Sequence, residues 1–354
     1  MNGAGWHAKR KAIAPAFSSN QVKRMTSVAN EKIEQWMQTK LRNSTNTTIV
    51  SFDVAREMAD IVLRAIVATA FEYEMSDEEK KHFCHELELA LIEFTLKSNP
   101  VREAVGWFLA DRRRAFEAGR NLMSFAKKMM DSYRKRGPTH KGTIIQLIME
   151  SDAHPTDEEK AAEIIFFLIA GHDTTAFSIA WILLELAKHP EEQRKLRESL
   201  AQLPQEKWGS SGVLKRVINE GMRLHPVAAA GSCRTLGKDF KTSKNEVLPK
   251  GSIVFLPFIL LFRNPDIFEN PDTFDPSRWE EPTREMLNAF NPFSLGKQNC
   301  MGQSLAKAET LAIVPKICSQ FELTVEDEGD AAYFLTLKPV GARFATSKEI
   351  HLGE

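Results

Sequence analysis

Residues 293–302, Phe293-Ser294-Leu295-Gly296-Lys297-Gln298-Asn299-Cys300-Met301-Gly302, form the stretch of this sequence from which its fold can be read. Glycines flank the cysteine four residues before it and two after it. A backbone without Cβ can turn sharply and come close to a flat ligand. Phe293 is expected to shield the cysteine from water. The pattern therefore predicts a loop that presents one thiolate to a metal.

The residues after this loop favour a helix. Residues 303–313 are rich in good helix formers, and Leu305, Ala308, Leu311 and Ala312 are predicted to share its buried face. The free N–H groups and the positive end of the dipole at its start favour an anionic sulfur. We therefore expect the pKa of the Cys300 thiol to be lowered. The alternative is that Cys300 is a small buried apolar residue before a helix.

Composition limits the classes of function. The chain has 354 residues and a mass of 40.0 kDa, and its 47 basic and 47 acidic residues give a net charge of zero. This balance argues against nucleic acid as the main partner, because binding a phosphate backbone normally requires a basic excess. The four cysteines are far apart, which indicates a reducing compartment rather than a disulfide framework. One domain over residues 1–354 is expected.

Hydrophobic periodicity predicts a mainly α fold with small β-sheets. Helices are predicted at residues 21–41, 52–71, 77–96, 111–135, 143–151, 190–201 and 212–224, and strands at 252–256, 321–325 and 333–337. Thr156 and Glu159 have the capping-box pattern, and Pro190 closes the far end. These limits define a central helix of about thirty residues, roughly 45 Å long. Its apolar stretch contains polar residues, which favours a buried helix over a membrane span. Residues 1–10 do not have the apolar core expected of a signal peptide or of a membrane span.

Polar residues interrupt the central helix at Ala170-Gly171-His172-Asp173-Thr174-Thr175. One interpretation is structural: Thr174 bonds to a carbonyl one turn earlier and Asp173 faces solvent. The functional interpretation is that Gly171 leaves room for a diatomic ligand, while Thr174 and Asp173 conduct protons toward it. Both interpretations are open on the residues alone.

Two further spacings have a simple structural interpretation. Glu220 and Arg223 are three residues apart on a predicted helix, the spacing of a weak surface pair. Trp6 and Arg10 are one turn apart, as in an ordinary amphipathic turn. Neither pair identifies a site by itself.

Taken together, these motifs resemble the cytochrome P450 family. Phe-x-x-Gly-x-x-x-Cys-x-Gly is similar to its haem-binding loop, in which a cysteine thiolate is the axial ligand. The other motifs follow the family's order: Trp6 to Arg10, the hexapeptide at 170–175, Glu220 to Pro226, and Phe274-Asp275-Pro276-Ser277-Arg278-Trp279. The resemblance covers nearly all of the chain but only the later part of the family fold. It implies a P450-like fold that lacks its N-terminal part.

The resemblance also implies roles for residues of this chain. It implies that Cys300 ligates the iron of haem b in a setting formed by Phe293, Gly296 and Gly302, and that Trp6, Arg10 and Arg234 bind the haem propionates. It also implies that Thr174 is the catalytic alcohol and Asp173 the catalytic acid. Finally, it implies a buried charge cluster formed by Glu220, Arg223 and Arg278. Family members usually carry Arg two residues before the cysteine, where this chain has Gln298. We therefore expect weaker haem retention.

The activity implied is that of a monooxygenase, which inserts one atom of O2 into an apolar substrate. Electrons are expected from a flavoprotein reductase or a ferredoxin, because no flavin or nicotinamide fingerprint is present. Lys9, Lys11 and Lys297 are candidates for its basic docking surface, and a solvated charged face is the alternative. If the source is eukaryotic, the resemblance implies the endoplasmic reticulum membrane.

Two rivals stay open. One is a haem-thiolate isomerase or dehydratase that consumes a hydroperoxide, and the other is a noncatalytic truncated fragment. Positional resemblance suggests a pocket formed by Phe166, Phe167, Ala170, Val227 and Ala229. Such an apolar lining admits fatty acids, sterols, terpenoids and carotenoids.

Overall fold

A computed structural model describes residues 3–42, 50–96, 99, 102 and 108–349. Its helices are α1 Ala4–Ile13, α2 Ser19–Trp36, α3 Val54–Ala70, α4 Asp77–Leu96, α5 Ala110–Arg136, α6 Ile144–Met149, α7 Asp157–Lys188, α8 Pro190–Ala201, α9 Gly212–Leu224, α10 Phe258–Leu261, α11 Arg284–Ala289 and α12 Gln303–Gln320. Short 3₁₀ segments lie at Ala14–Phe17, Gln205–Ser210, Pro276–Trp279 and Gly296–Gln298, and a π-helical turn at Met37–Arg42 continues α2. The prediction of a mainly α protein is confirmed.

The described strands form small antiparallel sheets. β1 Val50–Asp53, β9 Arg343–Glu349 and β6 Phe321–Asp327 make one sheet in that order, and three pairs stand apart: β2 Ser232–Thr235 with β5 Ile253–Leu256, β3 Phe240–Lys241 with β4 Val247–Leu248, and β7 Asp330–Phe334 with β8 Thr336–Val340.

Two predicted elements were wrong in part. Residues 333–337 are not one strand, because Leu335 has φ +79° and the chain turns back on itself, pairing Tyr333 with Leu337. The helix predicted from residue 52 starts at Val54, since Phe52 belongs to β1. Asp53 caps that helix by accepting a hydrogen bond from the Arg56 N–H.

The central helix α7 lies between two hydrophobic clusters. Its second half contributes Ile179, Ile182 and Leu186 to a cluster with α3, α9, α12 and the three-stranded sheet. Its first half contributes Ile164 and Leu168 to a cluster with α1, α2, α5 and α6. Among the described residues α7 is the one helix long and apolar enough to cross a membrane, and most of its apolar window is buried. Burial inside the protein accounts for this apolar character.

The predicted N-cap of α7 is half right. Thr156 accepts a hydrogen bond from the Glu159 N–H, as a cap does. The Glu159 side chain does not reach back to Thr156; it pairs with Lys9 of α1 at 3.0 Å. The start of the central helix is therefore tied to α1, which also contacts the cysteine loop.

Candidate functional site

The loop that carries Cys300 is closed by its own backbone. The Cys300 N–H donates to the Phe293 carbonyl at 2.9 Å, and the Asn299 N–H donates to the Gly296 carbonyl at 3.1 Å. Gly296 has φ +76°, in the left-handed region that favours glycine. At Gly302 the backbone is unstrained, and a Cβ there would lie 3.7 Å from Phe17 Cε1. The turn thus depends on Gly296, whereas Gly302 is the point where the loop approaches Phe17.

The net effect on the thiol is opposite to the sequence-based expectation. Although Cys300 is exposed to solvent, the protein behind its sulfur desolvates it and raises the pKa of the thiol. Hydrogen bonds from the N–H groups of Gly302 and Gln303 act in the other direction, as does the charge of Arg10. The start of α12 therefore favours the thiolate as predicted, but burial outweighs it.

Arg10 and Trp6 of α1 reach this loop together. The Arg10 Nη1 donates to the Asn299 carbonyl at 3.0 Å, and Nη2 donates to Asn299 Oδ1 at 2.7 Å. The guanidinium also lies over the Trp6 ring, 5.5 Å from its centroid. A cation and an indole are therefore placed beside the residue that precedes Cys300. Asn299 was missed from the sequence, where nothing distinguishes it from other loop asparagines.

Arg234 approaches the same loop from β2. Its Nη2 donates to Ser294 Oγ at 3.2 Å, and Ser294 Oγ also lies 3.2 Å from Ser232 Oγ. Arg10 and Arg234 thus contact the cysteine loop through different residues, Asn299 and Ser294. Two half-buried guanidinium groups thus contact the loop that carries the thiol, a setting suited to an anionic ligand.

On α7 the predicted alcohol and acid point in different directions. The Thr174 hydroxyl donates to the Ala170 carbonyl at 2.7 Å, which is the back-bond of the structural interpretation. Asp173 does not face solvent as that interpretation expected: it is 7% exposed, with Oδ1 2.9 Å from Nδ1 of the buried His172. This contact lacks hydrogen-bond geometry, and neither His172 ring nitrogen has a hydrogen-bond partner. The side chains of Asp173 and Thr174 do not hydrogen-bond to each other.

Gly171 has a packing role. A Cβ at this position would lie 2.2 Å from Ile66 Cδ1 of α3, so a larger residue requires the side chain of Ile66 to move. The space left by the missing Cβ is therefore filled by Ile66, which is a correction to the idea that it serves a diatomic ligand.

Asp173 lines a small cavity between α7, α4 and the β7–β8 hairpin. The other lining residues are Glu88, Leu91, Ile92, Phe334, Thr336 and Lys338. Elements far apart in the chain form this cavity, which explains why local periodicity did not indicate that Asp173 is buried.

Aromatic side chains connect the cysteine loop with α7. Phe17 lies by Gly302 and its ring is 6.2 Å from that of Phe167, which is buried. Phe166, the next residue back, is 59% exposed. Phe293 is half-buried and has Lys307 Nζ 5.4 Å from its ring centroid, so it covers the cysteine only in part.

The charge cluster predicted from Glu220, Arg223 and Arg278 is brought together by the fold. Both Glu220 and Arg223 are 0% exposed, and Arg223 donates to the two carboxylate oxygens at 2.8 and 2.9 Å. Arg278 Nε and Trp279 Nε1 each donate to Glu220 at 2.9 Å, and so does the Asp275 N–H. The surface-pair alternative does not apply.

The cluster is linked to the cysteine loop by aromatic rings. Trp279, which donates to Glu220, lies 4.7 Å from Phe290, and Phe290 lies 5.3 Å from Phe262. The Phe262 carbonyl in turn accepts from Arg223 at 2.8 Å. Phe290 lies three residues before Phe293, the first residue of the loop, so this series of contacts ends close to the start of the loop.

The buried face of α12 differs from the predicted one. Leu305 is buried as expected, while Ala308, Leu311 and Ala312 are half-buried. Glu309 is 2% exposed in their place, and burial raises its pKa to about 8. An acidic residue at an apolar-facing position is not predictable from periodicity, because the pattern rule assigns charged residues to the solvent face.

Comparison with known proteins gives a consistent result. The profile of the cytochrome P450 family matches residues 1–342. The chain is 26% identical to the human ultra-long-chain fatty acid omega-hydroxylase over 92% of its own length and 66% of the relative's, and 26% identical to human cytochrome P450 4F11 over 96% and 73%. It is 32% identical to rat cytochrome P450 4F5 over 51% of this chain and 37% of that one. The chain thus spans about two thirds of the length of the first two relatives.

Proposed function

Because this chain belongs to the cytochrome P450 family, we propose that it is a haem-thiolate monooxygenase that inserts one atom of O2 into an apolar substrate. The observation that carries the proposal is the sulfur of Cys300. Cys300 is an exposed residue at the end of a closed loop, its sulfur accepts hydrogen bonds from the N–H groups of Gly302 and Gln303, and the charge of Arg10 acts on it. This arrangement is suited to holding a thiolate against a metal.

Haem b fits the residues present. Among the described residues, no group of three or more His, Cys, Asp or Glu could hold a metal ion by itself. With Cys300 as the proposed protein ligand, the porphyrin would supply most of the remaining ligands of the iron. Arg10, Arg234 and Trp6 are the donors that would bind its carboxylates, since a guanidinium can bind a carboxylate with two parallel hydrogen bonds. The bound haem supplies the oxygen chemistry that no side chain of this protein can perform.

The proposed reaction needs a partner. One O2, two electrons and two protons convert a C–H bond to an alcohol and release water, and the electrons come from a flavoprotein reductase or a ferredoxin. Lys11 and Lys297 are exposed and suit an acidic donor surface. Lys9 contributes less than expected, because its ammonium group is paired with Glu159.

Asp173 and Thr174 are the proposed proton carriers. They are consecutive on α7, so their side chains diverge by about 100°. In this geometry, a proton passes from Asp173 to the Thr174 hydroxyl through a water molecule or after a change of rotamer. The small cavity beside Asp173 contains Glu88 and Lys338, which can exchange protons with solvent.

Fatty acids are the substrate class to test first. This choice rests on one of the relatives, the human ultra-long-chain fatty acid omega-hydroxylase. Exposed Phe166 and Ala170 and buried Phe167 and Ala229 are the proposed apolar lining. A location at the endoplasmic reticulum membrane is part of the same proposal.

The test is the spectrum of the reduced carbonyl complex after expression with added haem. A strongly red-shifted Soret band is expected for the natural chain and for Cys84→Ser, in which an exposed cysteine of α4 is changed. Cys300→Ser is expected to lose that band. An unchanged band in Cys300→Ser excludes the proposal, and absence of haem from the natural chain favours the noncatalytic fragment.

A turnover experiment separates the remaining rival. NADPH and a reductase are expected to support oxidation of a long-chain fatty acid with uptake of O2. Conversion of a hydroperoxide without any reductase identifies the isomerase or dehydratase instead.

A further inference from the structure

His225, the first residue after α9, is held between two side chains of the central helix. Its Nε2 lies 2.8 Å from Glu185 Oε1. Its ring is stacked on the Trp181 indole, with centroids 4.0 Å apart and an interplanar angle of 2°. Trp181 and Glu185 are four residues apart on α7 and are 5% and 3% exposed. A polar ring is thus fixed in position and orientation inside the protein.

A strand completes the arrangement. Trp181 Nε1 donates to the Leu337 carbonyl of β8 at 3.1 Å, and the Leu337 N–H donates to the Val227 carbonyl at 2.9 Å. Val227 follows His225 by two residues. The contacts therefore form a closed ring from α7 through His225 and Val227 to β8 and back to α7, so the chain at residue 225 cannot shift without breaking several of them.

Residues 225–234, which we call the connecting segment, are held at the other end as well. Ser232 and Arg234 both contact Ser294 of the cysteine loop at 3.2 Å. Between the two ends, Gly231 has φ +70°, and a Cβ there would lie 2.0 Å from the Leu256 carbonyl oxygen. The connecting segment thus runs from the central helix to the cysteine loop through a turn that only glycine fits.

We infer that His225 is a positioning residue: fixed between Glu185 and Trp181, it sets where the connecting segment places Arg234 and Ser232 against the cysteine loop. The inference deepens the proposed function, since it is through that loop that His225 acts on haem binding. The contacts themselves do not depend on that function. His225 touches none of the proposed catalytic or haem-binding residues in any described contact.

The charges around His225 agree with a neutral imidazole that donates from Nε2. Burial lowers the pKa of His225, and Arg263 and Lys188 act in the same direction, whereas Glu185 opposes them. The pKa of Glu185 is lowered: burial alone would raise it, and the hydrogen bond from His225 with the nearby positive charges outweighs that effect. His189 also faces Glu185, at 3.5 Å. A neutral donor and an ionised acceptor form a strong buried hydrogen bond.

Hydrogen exchange of the chain without haem tests the positioning role directly. His225→Ala is expected to speed exchange at least tenfold in residues 227–236 and at Leu337, and to leave exchange in the helix around Glu220 unchanged. His225→Gln keeps a donor near the position of Nε2 and is expected to restore most of the protection. His85→Ala, which changes an exposed histidine of α4, is the matched control and is expected to have no effect.

Haem transfer to apomyoglobin provides the second measurement. His225→Ala is expected to lose haem several-fold faster than the natural chain, and His225→Gln within twofold of it. If exchange rises only at residues 227–228 and not at 232–236, or rises equally at Glu220, the inference is overturned. If His225→Ala does not fold, Glu185→Gln is measured in the same way. Failure of the natural chain to bind haem refutes the proposed function, and the exchange result stands independently.

Discussion

Replacing Glu220 by glutamine is expected to destabilise the folded chain strongly. The carboxylate accepts hydrogen bonds from Arg223 Nε and Nη2, Arg278 Nε, Trp279 Nε1 and the Asp275 N–H, all between 2.8 and 2.9 Å. Glutamine has nearly the same shape, so no cavity forms. Its amide NH2 group, however, places two N–H bonds against side chains that are themselves donors. It also leaves the guanidinium groups of Arg223 and Arg278 without a counter-charge.

The magnitude follows from the burial of the group. Removing one partner of a fully buried ion pair costs about 3–5 kcal/mol, because the remaining charge is left desolvated. Native domains are stable by only about 5–15 kcal/mol, so this loss removes a large part of the total. Arg223 also donates to the Pro271 and Thr273 carbonyls, which limits its freedom to move toward solvent.

Denaturant unfolding followed by circular dichroism measures this change. The matched control is Glu198→Gln, which breaks an exposed pair with Arg194 on α8. Exposed pairs contribute less than about 1 kcal/mol, so the control should unfold close to the natural chain. A loss below about 1 kcal/mol in Glu220→Gln would refute the reasoning, since it would mean that the two guanidinium groups find other partners or water.

Three further predictions concern other parts of the chain. The pKa of Glu309 is raised to about 8 in the folded state against 4.5 ordinarily, so the folded state holds a proton that the unfolded state releases. The stability of the folded state should therefore fall as pH rises from 5 to 8. Melting curves of Glu309→Gln should show little of this dependence on pH, and an equal dependence contradicts the assignment. Gly296→Ala should lower the free energy of unfolding by about 1–2 kcal/mol, because Gly296 has φ +76°. Gly119→Ala, in mid-helix with open space around it, should instead raise the free energy of unfolding by about 0.5–1 kcal/mol. Equal unfolding midpoints of the two variants refute the comparison. Gln298→Arg should slow haem transfer to apomyoglobin, and unchanged rates exclude this.

The helices could be predicted because their boundaries are marked by local chemistry. Thr156 before α7 and Pro190 at the start of α8 fix those boundaries by capping and by the missing proline N–H. Such signals depend on neighbours in the sequence. The turn at Leu335 has no such signal: residues 333–337 alternate like a strand, and the positive φ of a leucine is imposed by the pairing of β7 with β8.

The candidate site was predictable as a set of residues but not as an arrangement. Motif spacing indicated Cys300 and Arg10, the family resemblance implied Arg234, and the structure places all three at one loop. The sequence did not indicate that Asn299 and Ser294 are the residues through which the two arginines contact this loop. Those contacts depend on the relative positions of α1 and β2, which are set by packing across the whole chain rather than by any local pattern.

Two consecutive residues of α1 hold different parts of the molecule. Lys9 pairs with Glu159 in the first turn of α7, while Arg10 holds Asn299 beside the cysteine. The short helix α1 therefore connects the first turn of α7 with the loop that carries Cys300. Because Glu159 holds the residue next to Arg10, we expect a change at its carboxylate to alter the contact between Arg10 and Asn299, and through it the surroundings of Cys300.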